Sequence, residues 1–266
     1  ITLNVGDAKA RLQQKNPYQL KERSDAEALV KQMSQQNGRV TAIEEKVKTE
    51  SAPLPYDLTE IQREANQRYG FSAKKTLSLV QSLYETHKIV TYPRTDSKYL
   101  TNDMKATMKE RLQAVADFAP EVKGYLKNGG QVVQQAVFND KKVTDHHALL
   151  PTEQRARYEK LTTDEQRIYQ MIVSRFLMLF AKPHKKQQQK VTVTFGSETF
   201  VFNRNTVLEV GWKTTSEEET SDIAWQKGST VKPDFTIQKE LTTPPKPLNE
   251  GTLLGKMEKH SLGTPA

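Results

Sequence analysis

The chain has 266 residues, enough for one large domain or two smaller ones with a sizeable core. Its 40 Lys and Arg against 32 Asp and Glu leave a formal charge of +8, which fits a polyanionic partner such as nucleic acid and equally a generically basic surface. The lack of cysteine excludes disulfides, thiolate metal sites and cysteine nucleophiles, and no apolar run approaches the roughly 18 residues needed to span a bilayer.

Leu3-Asn4-Val5 and Tyr18-Gln19-Leu20 read as short strands. Ser24 with Glu27 forms a capping box for a helix that buries Ala26, Leu29, Val30 and Met33, and Asn37-Gly38, which tolerate a left-handed backbone, end it. Arg39 to Lys48 alternates apolar and charged side chains as a half-buried strand does. Ser51 to Pro55 then punctuates the chain. Thr59 with Gln62 makes a second capping box, Ile61, Ala65 and Tyr69 share one helical face, and Gly70 stops that helix. Ser72 starts the next, with Leu77, Val80, Leu83 and Tyr84 as its buried stripe. Lys74 and Lys75 stand in its first turn, where the helix dipole does not favour cations, so they face either a phosphate or bulk solvent.

The next stretch is Ile89-Val90-Thr91-Tyr92-Pro93-Arg94-Thr95-Asp96-Ser97. A β-branched run delivers Tyr92 to a turn, and Pro93 constrains the backbone just beyond it. A phenol with a pKa of about 10 is mostly neutral at physiological pH; a guanidinium two residues away could favour the phenolate and grip a phosphate with two hydrogen bonds. The parts for attack on a phosphodiester are present, and so are those of an ordinary strand-end tyrosine.

Thr101 to Phe118 reads as a helix burying Met104, Met108, Leu112 and Val115, followed by a polar connector, Gly124 to Asn139, with a short strand around Val132-Val133. Thr163 with Gln166 caps a long helix whose Ile168, Ile172, Phe176 and Leu179 pack inward, and whose Phe176 to Phe180 run is buried on more than one side. Pro183 closes it. Lys190 to Phe195 and Thr199 to Asn203 alternate around Gly196-Ser197 as a hairpin, and Thr206 to Trp212 reads as a third strand. Ser216 to Asp222 is an acidic loop, Trp225 and Phe235-Thr236-Ile237 are strand-like, and a last helix from Asn249 buries Leu253, Leu254 and Met257. The order strand-rich, helix-rich, strand-rich is explained most simply by a helical domain inserted into a β-containing one, with both junctions in proline- or polar-rich segments.

The run Val90 to Ser97 resembles the active-site tyrosine motif of type IA DNA topoisomerases, in the form used by the topoisomerase III branch. Pro53 to Gln62 and Gly70 to Thr76 resemble that family's lead-in, Asp145-His146-His147-Ala148-Leu149-Leu150-Pro151-Thr152 its second signature, and Pro244 to Leu254 a third. The resemblance implies an α+β, multi-domain fold. A mostly helical, tyrosine-bearing domain (53–183) would be inserted into a β-rich arch (1–52 and 184–240), and residues 241–266 would begin a further, helical domain that binds single-stranded DNA. It implies catalysis by Tyr92 and Arg94, and DNA contacts from Thr95, Asp96, Ser97, His146, Lys74 and Lys75, with Asp96 orienting Arg94 or a nearby helix end. It also implies Mg²⁺, held in the full-length enzyme by an N-terminal toprim domain absent from this sequence, which has no Asp-x-Asp motif. The chain opens without methionine and closes inside what resembles a longer motif. It is therefore expected to be an internal piece of a larger cytoplasmic enzyme, with single-stranded DNA and the toprim domain as partners and no membrane. Alone it would be half an active site.

Three other readings compete with this one. A zinc site at His146 and His147 is disfavoured because adjacent histidines do not readily hold one ion and no cysteine can assist. Tyrosine recombinases and type IB topoisomerases resemble one another in a His-x-x-Arg element and a tyrosine near the C-terminal end, whereas here Tyr92 precedes His146 and no Arg follows at the needed spacing. The third is a non-catalytic module that binds single strands through a basic groove with stacking aromatics.

Overall fold

The computed structural model describes residues 1–13, 20–213, 223–241 and 243–263. Tyr18 and Gln19 of the expected strand Tyr18-Gln19-Leu20 and the acidic loop at Ser216 to Asp222 lie outside the described residues, and Leu20 is not in a strand. The chain forms a mixed α/β structure with antiparallel sheets and divides into two compact units, residues 1–50 with 183–244 and residues 51–182 with 245–266.

The first unit is built from β1 (Thr2–Val5), β2 (Ala8–Arg11), α1 (Arg23–Met33), β3 (Gly38–Glu50), β4 (His184–Phe195), β5 (Glu198–Glu209), β6 (Thr230–Val231) and β7 (Phe235–Thr236). One sheet runs β2-β1-β7 and the other β5-β4-β3-β6, with every pairing antiparallel. Alternation drives the second sheet: Val191, Val193, Phe195, Phe200 and Phe202 fall on one face and join Leu3, Val40 and Met33 in a buried cluster. The hairpin at Gly196-Ser197 forms as expected, but its strands are far longer than the apolar alternation, and Thr206 to Glu209 continues β5 instead of starting a third strand. Backbone ladder bonds carry β4 well past its last apolar residue, Val191, as far as His184.

Both ends of α1 differ from the sequence expectation. The Ser24 box does not form: α1 has Glu22 at its N-cap with no side-chain bond, and Ser24 lies within the helix. Gly38 is not a left-handed stop either. It opens β3, where a Cβ would meet the Phe195 ring at 2.5 Å, so glycine is there to let an aromatic ring pack on the backbone.

The second unit contains α2 (Leu58–Tyr69), α3 (Ala73–Glu85), a 3-10 helix (Asn102–Thr107) leading into α4 (Met108–Ala114), α5 (Val122–Lys127), α6 (Thr163–Leu177) and α7 (Glu250–Lys259). Asp57, not Thr59, caps α2: its carboxylate accepts from the Glu60 amide at 2.6 Å. Gly70 ends α2 at φ +67°, a left-handed backbone that glycine adopts without steric cost. Ser72 caps α3 as expected, and the α6 box is made by Thr162 and Glu165, one residue before the expected pair. The expected helix from Thr101 is a 3-10 turn followed by two α-turns, though Met104, Met108, Leu112 and Val115 are buried as read. Val132-Val133 forms no strand.

Ile61, Ala65, Val80, Leu83, Met108, Leu112, Ile168, Ile172 and Phe176 share one core, each such side chain contributing about 1.5–3 kcal/mol relative to exposure for the larger apolar types. Helix α6 is apolar around most of its circumference, with Tyr169, Met171, Val173 and Leu177 buried as well. Its one buried guanidinium, Arg175, stacks over Tyr56 and pairs with Glu60 at 3.0 Å and Glu64 at 2.5 Å, which ties α6 to α2. Helix α7 packs on α2 through small residues rather than through the expected apolar stripe. Gly251 and Gly255 approach Arg63 and Asn66, while Leu253 is half exposed.

Candidate active site

Tyr92 follows α3 in an extended segment anchored to residues 145–152. The Thr91 amide donates to the Leu150 carbonyl at 2.9 Å, the Leu150 amide donates to the Thr91 hydroxyl at 2.9 Å, and that hydroxyl donates to the Ala148 carbonyl at 3.2 Å. The Thr152 amide donates to the Ile89 carbonyl and the Thr152 hydroxyl to the Lys88 carbonyl. Lys88 itself sits at φ +57°, a conformation costly for a side chain with a Cβ and held by these surrounding bonds. The two signature stretches, some 50 residues apart in sequence, are therefore one laced surface.

The Tyr92 ring is half-buried. The exposed His146 ring lies against it with centroids 4.3 Å apart, and the Tyr84 ring meets it edge-on at 5.5 Å. Tyr84 was expected in the core stripe of its helix; it is 37% exposed and instead walls Tyr92. Beside it, Tyr84, Glu85, Lys88, Val90 and Thr152 line an open cleft of about 430 Å³. Arg94 is exposed and makes no ion pair among the described residues, so its fork is available to an anion.

The other expected site residues divide sharply. Thr95 and Ser97 are buried and do not face solvent. The Thr95 hydroxyl donates to the His146 carbonyl at 3.2 Å and accepts from the Ser97 amide, while the Ser97 hydroxyl donates to the Lys142 carbonyl and accepts from the Tyr99 amide. They fasten the loop that presents Arg94. Asp96, expected to orient Arg94 or a nearby helix end, is exposed, and its carboxylate accepts from the Thr144 hydroxyl at 3.2 Å. Lys75 pairs with Asp164 at 2.7 Å and lies over the Phe71 ring, whereas Lys74 is exposed with no partner among the described residues. His147 turns inward, its Nδ1 at 2.7 Å from the Ala148 carbonyl, and burial lowers its pKa below the usual histidine value.

Lys98 drew no attention in the sequence. Half-buried, it bridges Glu60 at 2.8 Å and Asp57 at 3.4 Å, and the Leu58 amide donates to the Thr95 carbonyl. The segment after Tyr92 is thus bound to the N-terminal turn of α2. Burial favours the neutral carboxyl of Glu60, but the Lys98 and Arg175 cations outweigh it and hold its pKa below the usual value. Only the packed structure reveals this contact, because nothing in the spacing of a lone lysine distinguishes it from a solvated one. Among the described residues no group of three His, Asp or Glu side chains is placed to hold a metal ion.

The site is thus a half-buried tyrosine packed against a histidine ring and a second tyrosine, two residues before an exposed arginine, on a mostly helical unit. A sequence profile described as DNA topoisomerase matches residues 1–266. DNA topoisomerase 3 of Staphylococcus haemolyticus is 40% identical over 241 residues, covering 88% of this chain and 34% of that protein. DNA topoisomerase 3 of Bacillus subtilis is 39% identical over 251 residues, with the same two shares. Among solved structures, full-length topoisomerase I from Thermotoga maritima superposes with a TM-score of 0.74 at 25% identity, over 99% of this chain and 44% of that one. The chain belongs to the DNA topoisomerase family, type IA, on the topoisomerase III branch. It spans about a third of the length of the curated relatives it matches.

Proposed function

We propose that this chain supplies the nucleophile half of a topoisomerase that cuts one DNA strand, passes another strand or a duplex through the gap, and reseals it without ATP. The observation that carries this reading is the Tyr92 constellation, a phenol placed against His146 and two residues from a guanidinium that makes no ion pair among the described residues. The Tyr92 oxygen attacks the scissile phosphorus. The P–O3′ bond breaks, the 3′ oxygen leaves as a hydroxyl, and the 5′ end stays esterified to the tyrosine. Return attack by the 3′ hydroxyl reverses both bonds, and the ester conserves the phosphodiester energy. Arg94 contacts the scissile phosphate and stabilises charge on its oxygens, an effect worth about 10²–10³-fold when one such donor is lost elsewhere. His146 donates to a neighbouring phosphate, and Lys74 contacts the strand. Thr95, Ser97 and Asp96 hold the loop in shape, while Lys75 must trade Asp164 for any phosphate it binds.

In this reading residues 53–183 are the tyrosine domain, 1–52 with 184–240 the arch, and 241–266 the beginning of a single-strand-binding domain, in a cytoplasmic enzyme working on the chromosome. Mg²⁺ belongs to the toprim domain. The described residues of this chain hold no ligand set for it, and no step above runs through it.

The test traps a covalent complex on a single-stranded oligonucleotide labelled at its 3′ end. It uses the chain alone, the chain with the toprim domain in trans, and the Tyr92→Phe and Arg94→Ala variants. A labelled protein band that needs Tyr92 and the added domain, and falls about 10²-fold or more with Arg94→Ala, is expected. Binding without a band under any condition would leave a non-catalytic single-strand-binding module.

A further inference from the structure

The polar run Lys185-Lys186-Gln187-Gln188-Gln189-Lys190 is the distal half of β4, and the register of its neighbours sorts its side chains between two faces. Directly opposed residues of an antiparallel pair point to the same side. The core face carries Ile43, Val191 and Phe202, and beyond them Glu45, Gln189 and Arg204, then Val47, Gln187 and Thr206, with Lys185 opposite Glu209. Its distal charges cancel: Glu45 and Glu209 against Arg204 and Lys185. The other face carries Glu44, Lys190 and Asn203, then Lys46, Gln188 and Asn205, then Lys48, Lys186 and Val207. Its four lysines face two carboxylates, Glu44 and Glu50.

Glu50 is further overmatched. Lys213 lies 2.6 Å from its carboxylate, Lys186 3.2 Å and Lys48 3.8 Å, so three ammonium groups share one acid. Lys46 has no ion-pair partner among the described residues, and Lys190 has only the distant Glu44 at 3.8 Å. Lys46, Lys48 and Lys190 are exposed, and the row of Gln188 and Asn205 between them offers amide donors.

We propose that this face is a second DNA-binding surface, a sequence-independent track for a phosphodiester backbone that ends at the Glu50 lysine cluster. The spacing supports it. Side chains on one face recur every two residues, roughly 6.5–7 Å along a strand, close to the separation of successive phosphates in an extended single strand. Lysines placed as point charges with few fixed partners suit backbone contact, not base readout. The inference rests on the reading that the chain handles DNA, but it does not involve Tyr92.

The test compares two triple variants of the 266-residue chain with equal loss of charge, Lys46→Ala/Lys48→Ala/Lys190→Ala on the basic face and Lys9→Ala/Lys31→Ala/Lys185→Ala elsewhere in the same unit. Binding of a fluorescein-labelled single strand is measured by anisotropy from 50 to 300 mM salt, on a Tyr92→Phe background. The first variant should lose affinity on the order of tenfold, with the slope of log K against log salt shallower by up to about 2, at about 0.7 for each phosphate contact on single strands. The control should change little. Glu50→Gln, which frees three ammonium groups, should bind more tightly. Equal losses in the two triple variants, or no loss in the first, would overturn the track. Because Tyr92 is absent throughout, these outcomes are separate from success or failure of the covalent trap.

Discussion

Tyr92 and Arg94 announce themselves by residue type, but the residues that position them do so by burial. Thr95 illustrates the difference: as a sequence letter it is a small polar neighbour of an arginine, and in the structure it is a buried hydroxyl fixing the His146 carbonyl. A buried hydrogen-bonding group left unpaired costs about 1–3 kcal/mol, so such a hydroxyl is more expensive to lose than an exposed one. Glu50 gives the pH prediction at this scale. Hydrogen bonding from Lys213, then from Lys186, pulls its pKa down to about 2 from an ordinary 4.5. A depressed carboxylate contributes stability that is complete above about 4.5 and is lost as pH falls from there towards about 2. Melting curves of the native chain and Glu50→Gln should therefore differ by a constant amount from pH 5 to 7, with the gap closing below pH 4. A gap independent of pH would show that the lysine cluster does not stabilise the ionised acid.

At the level of elements, the sequence reading located nearly every helix and the central hairpin, and erred at their ends. Capping chemistry is degenerate there. Asp57 and Thr59 are both good caps within one turn, and the choice fell to the one whose carboxylate reaches the Glu60 amide. Asp57→Ala should cost about 1 kcal/mol, read from denaturant unfolding, whereas Thr59→Ala should be nearly silent. The reverse order would restore the capping box first read from the sequence. The long strands erred in the other direction. Apolar alternation in β4 stops at Val191, but its ladder hydrogen bonds continue through Lys and Gln to His184, so pattern alone shortens β4, whereas β3, read as Arg39 to Lys48, extends only slightly beyond that reading.

Across the whole chain, two cores are separate: one of β-strand valines and phenylalanines with α1, the other of helical leucines, isoleucines and methionines around α6. Each has its own cooperative packing, so denaturant unfolding should proceed in two transitions, the tryptophan signal reporting the first unit, which holds Trp212 and Trp225. A single transition seen alike by tryptophan fluorescence and by far-UV circular dichroism would mean that the units unfold together.

Residue order alone carried the family, the motif that makes Tyr92 and Arg94 the candidate pair, and the alternation of strand-rich and helix-rich segments, because these depend on local chemistry and on periodicities of two and 3.6 residues. It could not carry the lacing of Tyr92 to residues 145–152, the edge of Tyr84 against the phenol, the anchoring of Lys98 on α2, or the sorting of lysines onto one face of β3 and β4. Those depend on strand register and on contacts between residues far apart in sequence. They are decided only when backbone hydrogen bonds and side-chain volumes are satisfied together.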